Sequence, residues 1–264
     1  MHDDQRIDAA AAAILADHKA GVRFGPLPDD LRPADVDEAY AVQAALHRLL
    51  TAGGRGPIVG YKIALTSAAM QQMVGIDRPC AGAIFAETVH RSPADLSQSH
   101  FMHLGIECEI AVRLGRALPV GEAPFDRAAV SAAVVECMPS FELVEDRNAD
   151  YGNLDAASLI ADNCWNAGVV LGQPVADWQS LDLVEAKAVM TVDGKEVASG
   201  LAGDAMGHPL DVVAWLANFL AGQEVQLEAD MIVMTGSVVP TQFLEAGVSV
   251  SFAVDGLGEV AMRL

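Results

Sequence analysis

The sequence predicts an α+β fold, with a small helical N-terminal part followed by a strand-rich body. The 264 residues are 52% hydrophobic and 20% charged, which supplies enough apolar material for a sizeable core. Apolar residues in the first part of the chain recur at helical spacing, whereas later segments alternate apolar and polar residues as half-buried strands do. We therefore divide the chain into a helical region, residues 1–56, and a strand-rich catalytic body, residues 57–264.

The helical region contains two predicted helices. The first segment reads MHDDQRIDAAAAAILADHKAG, and its alanine run preceded by acidic residues favours a helix. A proline-rich turn, GPLPDDLRP, separates it from a second helix that ends before Gly53 and Gly54. The apolar residues of this second helix recur near helical spacing: Val36, Tyr40, Leu46, Leu49 and Leu50.

The body begins with a predicted strand, PIVGYKIALTS, which runs into Thr66 and Ser67. These hydroxyl residues can cap the short helix that AAMQQMVG predicts. A long alternating strand follows in HLGIECEIAVRLG, then a helix near FDRAAVSAAV and a strand-like segment, CMPSFELVEDR. The remainder predicts a turn at residues 192–194, a helix and three strands: PLDVVAWLANFLAG, DMIVMTGSVVP, VSVSFAVDG and GEVAMRL.

The charge of the chain argues against two classes of partner. The 36 acidic and 16 basic residues give a formal net charge of -20, which repels nucleic-acid phosphates and anionic membranes. No apolar stretch reaches the roughly 20 residues of a membrane span, and the N-terminus lacks the pattern of a signal peptide. We expect no nucleic-acid partner and no membrane association. A site for a small anionic substrate would need its own local positive charge.

Two further patterns, the cysteine spacing and a glycine-rich segment, do not indicate a redox or dinucleotide-binding site. The cysteines, Cys80, Cys108, Cys137 and Cys164, form no C-x-x-C pair, which predicts reduced and mostly buried thiols in a cytoplasmic protein. The segment DGLGEVA has the glycine spacing of a dinucleotide fingerprint, but it lies too close to the C-terminus for the helix that must follow. It predicts a hairpin turn instead.

The segment HLGIECEIAVRLG carries two glutamates in an otherwise apolar strand. Because side chains alternate along a strand, Glu107 and Glu109 share one face, with Cβ atoms roughly 6–7 Å apart. Ile106, Cys108 and Ile110 lie on the other face. Two interpretations predict this alternation: a half-exposed strand whose polar face meets water, or a buried carboxylate pair that requires a cation or a proton.

A cation site needs a third acidic ligand. Glu142 is the best candidate because Phe141 and Leu143 flank it in an apolar, strand-like segment, and Glu136 is the alternative. A set of three carboxylates suits Mg²⁺ or Mn²⁺ better than zinc, and it leaves coordination positions open for water or substrate.

Several blocks of the sequence, in order, resemble one enzyme family: GYKIALTSAAMQQMVGID, GIECEIAVRLGRALP, PSFELVEDR, IADNCWNAGVVLG, GHPLDVVAWLANFLA, and MTGSVVPTQFLEAG with DGLGEV. They are similar to the 2-keto-4-pentenoate hydratase and 4-oxalocrotonate decarboxylase family, within the fumarylacetoacetate hydrolase superfamily. The resemblance covers about residue 57 to the end closely, and the helical region in length and character. It implies that the body is a mixed β-roll and that the protein forms a homo-oligomer. A complex with a homologous enzyme or with another enzyme of the pathway is a further expectation.

The resemblance also implies roles for individual residues. It assigns the metal, Mg²⁺ or Mn²⁺, to Glu107, Glu109 and Glu142. It assigns a catalytic function to Lys62 in the block G-x-K-x-x-L-T-S. Such a lysine can act as acid and base or hold the substrate carboxylate. Together with the metal, it would supply the local positive charge that the chain otherwise lacks.

One departure from the family pattern concerns the block G-x-D-x-P. Family hydratases commonly carry an acidic residue after its proline, where this chain has Cys80. If that acid helps to activate water, Asp77 is the expected catalytic substitute, or the substrate differs. Five other positions are expected to contact substrate: Ser67, Asp162, Thr235, Gly236 and Ser237. A helix cap explains Ser67 equally well, and turns explain the other four.

The family implies a metal-dependent hydratase in aromatic-compound catabolism. Its substrate would be a 2-hydroxy-2,4-dienoate or 2-oxo-alkenoate acid, which a metal can chelate through the carboxylate and the C2 oxygen. The alternatives are a 4-oxalocrotonate-type decarboxylase, which uses the same electron sink, an acylpyruvate C–C hydrolase, and a non-catalytic partner subunit.

Overall fold

A computed structural model describes residues 3–264 and confirms the α+β class. Its α-helices are α1 (Asp3–Ala20), α2 (Val36–Leu50), α3 (Ala68–Val74), α4 (Arg127–Ser131), α5 (Ala156–Ala161) and α6 (Pro209–Ala221). Its strands are β1 (Ile58–Ala64), β2 (Cys80–Phe85), β3 (Val89–Arg91), β4 (Ala94–Asp95), β5 (Leu104–Leu114), β6 (Val134–Glu145), β7 (Asn166–Leu171), β8 (Lys187–Val192), β9 (Lys195–Leu201), β10 (Ile232–Ser237), β11 (Gln242–Phe243), β12 (Ser249–Val254) and β13 (Gly258–Arg263).

The strands form two mixed sheets. The larger sheet has the order β2-β1-β10-β5-β6-β7-β3, and β11 pairs with the first part of β5. The smaller sheet has the order β4-β13-β12-β8-β9. Apolar side chains from the two sheets share one core, in which the ring of Phe141 on β6 lies 6.4 Å from that of Phe252 on β12. The strands β5 and β6 pair antiparallel along almost their whole length, and they form the centre of the larger sheet.

Polar side chains of α2 attach the helical region to the larger sheet. The hydroxyl of Tyr40 accepts a hydrogen bond from the backbone N–H of Ala81 at 3.0 Å, and Gln43 donates to the carbonyl of Ala81 at 2.9 Å. His47 donates through Nε2 to Oδ1 of Asn163 at 2.8 Å. Burial lowers the pKa of His47 to about 4, so the imidazole is a neutral donor at physiological pH.

Several sequence-based expectations are confirmed at this level. The four cysteines are buried and free. The segment DGLGEVA forms the turn between the antiparallel strands β12 and β13, where Gly256 has a φ of 80° that favours glycine. Among residues 3–264, no helix combines the length and the apolar character required to cross a membrane.

Candidate metal and substrate site

Three glutamates converge at the centre of the larger sheet. Glu107 and Glu109 share one face of β5, and the β5–β6 register places Glu142 directly opposite Glu107. One carboxylate oxygen from each lies within 4.8 Å of the others. Because Glu109 and Glu142 are fully buried, this face is not a solvated strand face. Glu136, the alternative third acid, instead forms a 2.8 Å salt bridge with Arg113.

Within the described residues, only one carboxylate oxygen of each glutamate accepts a hydrogen bond or ion pair from the protein. The donors to these three oxygens are the backbone N–H of Gly236 to Glu109 Oε2 at 2.8 Å, Thr241 Oγ1 to Glu107 Oε1 at 2.6 Å, and Asn166 Nδ2 and Lys62 Nζ to Glu142 Oε1, each at 3.0 Å. These contacts fix the orientation of the carboxylates. The opposite oxygens remain available for a ligand.

The remaining oxygens identify what the cluster can hold. Within residues 3–264, Glu109 Oε1 and Glu142 Oε2 are buried with no hydrogen-bond partner. A buried carboxylate oxygen without a partner is costly, and so are carboxylates directly opposite each other on adjacent strands. A divalent cation with a preference for oxygen ligands would remove both costs. The three glutamates therefore fit Mg²⁺, Mn²⁺ or Ca²⁺.

Without a bound cation, the buried glutamates of the cluster have raised pKa values and therefore bind protons more readily than exposed glutamates do. Burial, reinforced by the charges of Glu142 and Glu107, raises the pKa of Glu109 well above its ordinary value. Burial also raises the pKa of Glu142, although the positive charge of Lys62 opposes that rise. The metal-free cluster consequently takes up protons at a pH where an exposed glutamate would be ionised.

This protonation predicts a pH dependence of stability in the metal-free protein. Glu109 binds a proton more tightly in the folded state than in the unfolded state, so its contribution to stability should be complete below the ordinary pKa of glutamate and should be lost as pH rises through its raised pKa. Urea unfolding in EDTA across this pH range measures the slope. Glu109→Gln should flatten it, and an unchanged slope in that variant would contradict the assignment to Glu109.

Lys62 is the buried cation of the site. It lies on β1 with 2% of its surface exposed, and its Nζ pairs with Glu142 Oε1. Burial disfavours the charged ammonium and is the largest single influence, but the surrounding acidic groups, led by Glu142, together outweigh burial and raise the pKa of Lys62. Lys62 therefore stays protonated beside the glutamates and provides local positive charge in an acidic protein.

A cavity of about 110 Å³ adjoins the cluster and contains space for a small acid. Lys62, Glu107 and Ser237 contribute to its lining. Apolar and aromatic side chains make up most of the remainder: Ile63, Leu65, Met70, Val144, Tyr151, Leu154, Leu159 and Trp165. Neither Tyr151 nor Trp165 was predicted as a site residue: Tyr151 belongs to no recognisable motif, and Trp165 lies in the block IADNCWNAGVVLG without a role implied for it.

Part of the cavity wall has an unusual backbone conformation. Asn163, Cys164 and Trp165 have consecutive φ values of 52°, 48° and 61°, and Leu65 has a φ of 58°. Non-glycine residues in this left-handed region cost roughly 1–2 kcal/mol each. Asn163 is held in place because its side chain accepts from the backbone N–H of Ala83 at 2.7 Å and donates to the Ala83 carbonyl at 3.0 Å. Such strain is concentrated at functional sites.

The structure places three of the five expected substrate contacts next to the glutamates. Thr235, Gly236 and Ser237 end β10, which pairs with β5. Thr235 is buried and donates to the carbonyl of Ile110 at 2.8 Å, whereas Gly236 binds Glu109. Ser237 is the member of this group that lines the cavity.

The other expected site residues lie outside the cavity lining given by residues 3–264. Ser67 caps α3, where its hydroxyl accepts from the backbone N–H of Met70 at 3.3 Å. Asp77 is exposed. Asp162 is buried and forms a salt bridge with Arg147 at 2.6 Å, beside a separate cavity of about 900 Å³.

Comparisons with known proteins agree with the resemblance seen in the sequence. Residues 70–264 match the family model described as fumarylacetoacetate (FAA) hydrolase C-terminal. The chain is 32% identical to 2-keto-4-pentenoate hydratase 1 of Dechloromonas aromatica, over 96% of this chain and 95% of that protein. It is 29% identical to 2-hydroxyhexa-2,4-dienoate hydratase of Comamonas testosteroni, over 100% and 99% of the two chains. The structure of 4-oxalocrotonate decarboxylase from Pseudomonas putida G7, complexed with magnesium and adipate, matches with a TM-score of 0.90 and 27% identity, over 98% and 97%.

Proposed function

Because the chain belongs to the fumarylacetoacetate hydrolase family, we propose that it is a metal-dependent hydratase of a short 2-hydroxy-2,4-dienoate, a hydro-lyase reaction of aromatic catabolism. Relatives that align along almost the whole chain are named as hydratases of such acids. The magnesium bound to the similar decarboxylase supports a divalent metal here, held by Glu107, Glu109 and Glu142.

The composition of the cavity lining supports a substrate with one carboxylate. Among the described residues that line the cavity, Lys62 is the only cation. A second carboxylate, as in 4-oxalocrotonate, would enter an apolar environment of side chains such as Leu154 and Leu159, and would be desolvated there without a partner. A short hydrocarbon end would instead gain from burial. A lining with one cation and a mostly apolar remainder is the observation that favours a dienoate hydratase.

Within this proposal, the residues of the chain bind and orient the acid. A divalent metal held by Glu107, Glu109 and Glu142 would supply Lewis-acid polarisation of the bound acid and an electron sink for its conjugated chain. Lys62 adds positive charge near the negatively charged acid, and Ser237 offers a hydroxyl to it. The apolar wall around Leu154 excludes bulk water from the hydrocarbon end. Hydration then consists of ketonisation, followed by addition of water at C4.

The decarboxylase is the second candidate, because the similar solved structure is a 4-oxalocrotonate decarboxylase. It would use the same glutamates and Lys62, with the electrons of the departing CO₂ entering the same conjugated chain. The distribution of charge in the cavity is the reason that we place it second.

Incubation of the purified protein and Mg²⁺ with each acid separates the two candidates. We expect consumption of 2-hydroxypenta-2,4-dienoate, measured by loss of its ultraviolet absorbance, to exceed CO₂ release from 4-oxalocrotonate. The opposite outcome, CO₂ release without consumption of the pentadienoate, would contradict the hydratase. We further propose that the protein acts in the cytoplasm as a homo-oligomer. Size-exclusion chromatography with light scattering tests the assembly.

A further inference from the structure

A chain of hydrogen bonds runs from the cavity to the protein surface. Tyr151 lines the cavity, and its hydroxyl donates to Oδ2 of Asp146 at 3.0 Å. The other oxygen of Asp146, Oδ1, lies 2.7 Å from Nδ1 of His103. Asp146 is fully buried, whereas the His103 side chain is 40% exposed. The three side chains therefore connect the cavity to solvent through one buried carboxylate.

The same strand pair that builds the glutamate cluster positions this chain. The antiparallel register pairs Leu104 with Glu145, so His103 and Asp146 are neighbours just beyond the ends of β5 and β6. The His103 ring stacks on Phe243, with centroids 4.2 Å apart and planes 10° apart, which fixes its orientation. Asp146 Oδ1 also accepts from the backbone N–H of Asn148 at 2.8 Å. The relay geometry is thus held by the fold.

The chemistry proposed for the cavity requires a proton acceptor that the other lining groups do not supply. Glu142 holds Lys62 as an ammonium ion, and Glu107 belongs to the metal cluster. The Cys164 thiol donates to the backbone carbonyl of Ala81 at 3.3 Å, so its proton is directed at a peptide oxygen and not at a carboxylate. Tyr151 is the remaining titratable residue of the described cavity lining, and it contacts a carboxylate directly.

We propose that Tyr151, Asp146 and His103 form a proton relay between a 2-oxo acid in the cavity and solvent. The relay deepens the proposed function and rests on it, since it serves the interconversion of enol and keto forms. Tyr151 is the catalytic residue of the relay because it faces the substrate. Asp146 and His103 act through Tyr151 and are positioning residues.

With a 2-oxo acid in the cavity, the relay moves a proton from C3 to Tyr151 and another from Tyr151 to Asp146. The C3–H bond breaks, its electron pair forms the enolate, and the proton bonds to the Tyr151 oxygen while the Tyr151 O–H proton moves to Asp146 Oδ2. Reversal returns a proton to C3 and restores the tyrosine and the carboxylate. While the enolate is bound, the hydrogen on the Tyr151 oxygen, which came from C3, exchanges with solvent through Asp146 and His103, so that reversal delivers a solvent hydrogen to C3. No oxidant or reductant is needed, and no net charge is created.

Exchange of the C3 protons of 2-oxopentanoate tests the relay without requiring hydration. The protein is incubated with this acid and Mg²⁺ in D₂O, and loss of the C3 proton signal is followed by NMR. We expect exchange by the unmodified protein, and a maximal exchange rate that falls by about 100-fold or more in Tyr151→Phe. In Tyr151→Phe, the KM for 2-oxopentanoate should be unchanged, and so should the Mg²⁺ affinity, which calorimetry measures. His103→Gln should slow exchange by about tenfold, as the loss of an orienting partner does elsewhere.

Two matched variants serve as controls. Tyr61→Phe removes the hydroxyl of a second tyrosine, which is buried on β1 whereas Tyr151 is 38% exposed, and His100→Gln removes an exposed imidazole close in sequence to His103. Both should exchange at the unmodified rate. An unchanged rate in Tyr151→Phe or in His103→Gln would overturn the relay. So would loss of Mg²⁺ binding in Tyr151→Phe, because the residue would then have a structural role.

The exchange assay also separates this proposal from the proposed function. Exchange by the unmodified protein without hydration of 2-hydroxypenta-2,4-dienoate would refute the hydratase, and the Tyr151→Phe result would still decide the relay. Hydration with the same rate in Tyr151→Phe would refute the relay and leave the hydratase intact. Absence of both activities would contradict both proposals.

Discussion

Replacing both Glu107 and Glu109 by glutamine is expected to abolish Mg²⁺ binding. The double change removes two of the three carboxylates whose oxygens lie within 4.8 Å of one another. An amide oxygen carries no net charge, so the attraction that offsets dehydration of Mg²⁺ is lost. A ligand at 100 times its dissociation constant stabilises the folded state by about 2.7 kcal/mol. The unmodified protein should therefore melt at a higher temperature with excess Mg²⁺, and the double variant should not.

The same double variant should be at least as stable as the unmodified protein in EDTA. Glu109 is fully buried, and its Oε1 has no hydrogen-bond partner in the described structure. A glutamine is neutral without binding a proton, so it avoids the desolvation and repulsion that raise the pKa of Glu109. Glu136→Gln is the matched control, because this acid lies on β6 but pairs with Arg113 outside the cluster. It should keep the response to Mg²⁺. A magnesium-dependent melting shift in the double variant would refute the metal site.

Lys62→Met should reduce both stability and turnover. It leaves Glu142 buried without its cationic partner, and breaking a buried ion pair in this way costs about 3–5 kcal/mol. Turnover of 2-hydroxypenta-2,4-dienoate should fall by about 100-fold to 10,000-fold, the range for removal of a catalytic acid–base group. Urea unfolding and steady-state kinetics measure the two effects.

A second variant separates the contribution of Lys62 to stability from its contribution to turnover. Lys62→Arg keeps a positive charge beside Glu142 and leaves all three glutamates in place, but a guanidinium does not release a proton, so we expect this variant to keep most of the stability and to lose turnover as Lys62→Met does. Lys187→Met, at an exposed position on β8, should change stability by no more than about 0.5 kcal/mol. Unchanged turnover in Lys62→Arg would show that Lys62 acts only as the cationic partner of Glu142.

Much of the fold was predictable because its elements have strong local patterns. The alternation from Leu104 to Leu114 predicted β5, and the glycine-rich turn predicted the β12–β13 hairpin. The convergence of the glutamates was also predictable, since Glu107 and Glu109 alternate on one face and Glu142 lies in an apolar segment. Their functional roles remain predictions that the variants above test.

The rest of the site depends on contacts between distant parts of the chain. Local sequence does not show that Asn163, Cys164 and Trp165 adopt left-handed conformations, because none is glycine and tertiary hydrogen bonds hold them. Tyr151 lies in a short irregular segment with no motif, so only the folded chain brings it to the cavity. Asp77 had a motif position in its favour, but the structure leaves it exposed and outside the described cavity lining.

The hydrogen bonds of α2 have a consequence for how the two regions can change during evolution. His47 donates to the same Asn163 side chain that holds the cavity wall, and Gln43 donates to the carbonyls of Ala81 and Ile160. Loss of the helical region would leave these buried groups unpaired and would release the left-handed segment. The N-terminal helices are therefore constrained together with the catalytic body, and cannot be exchanged between relatives as an independent module.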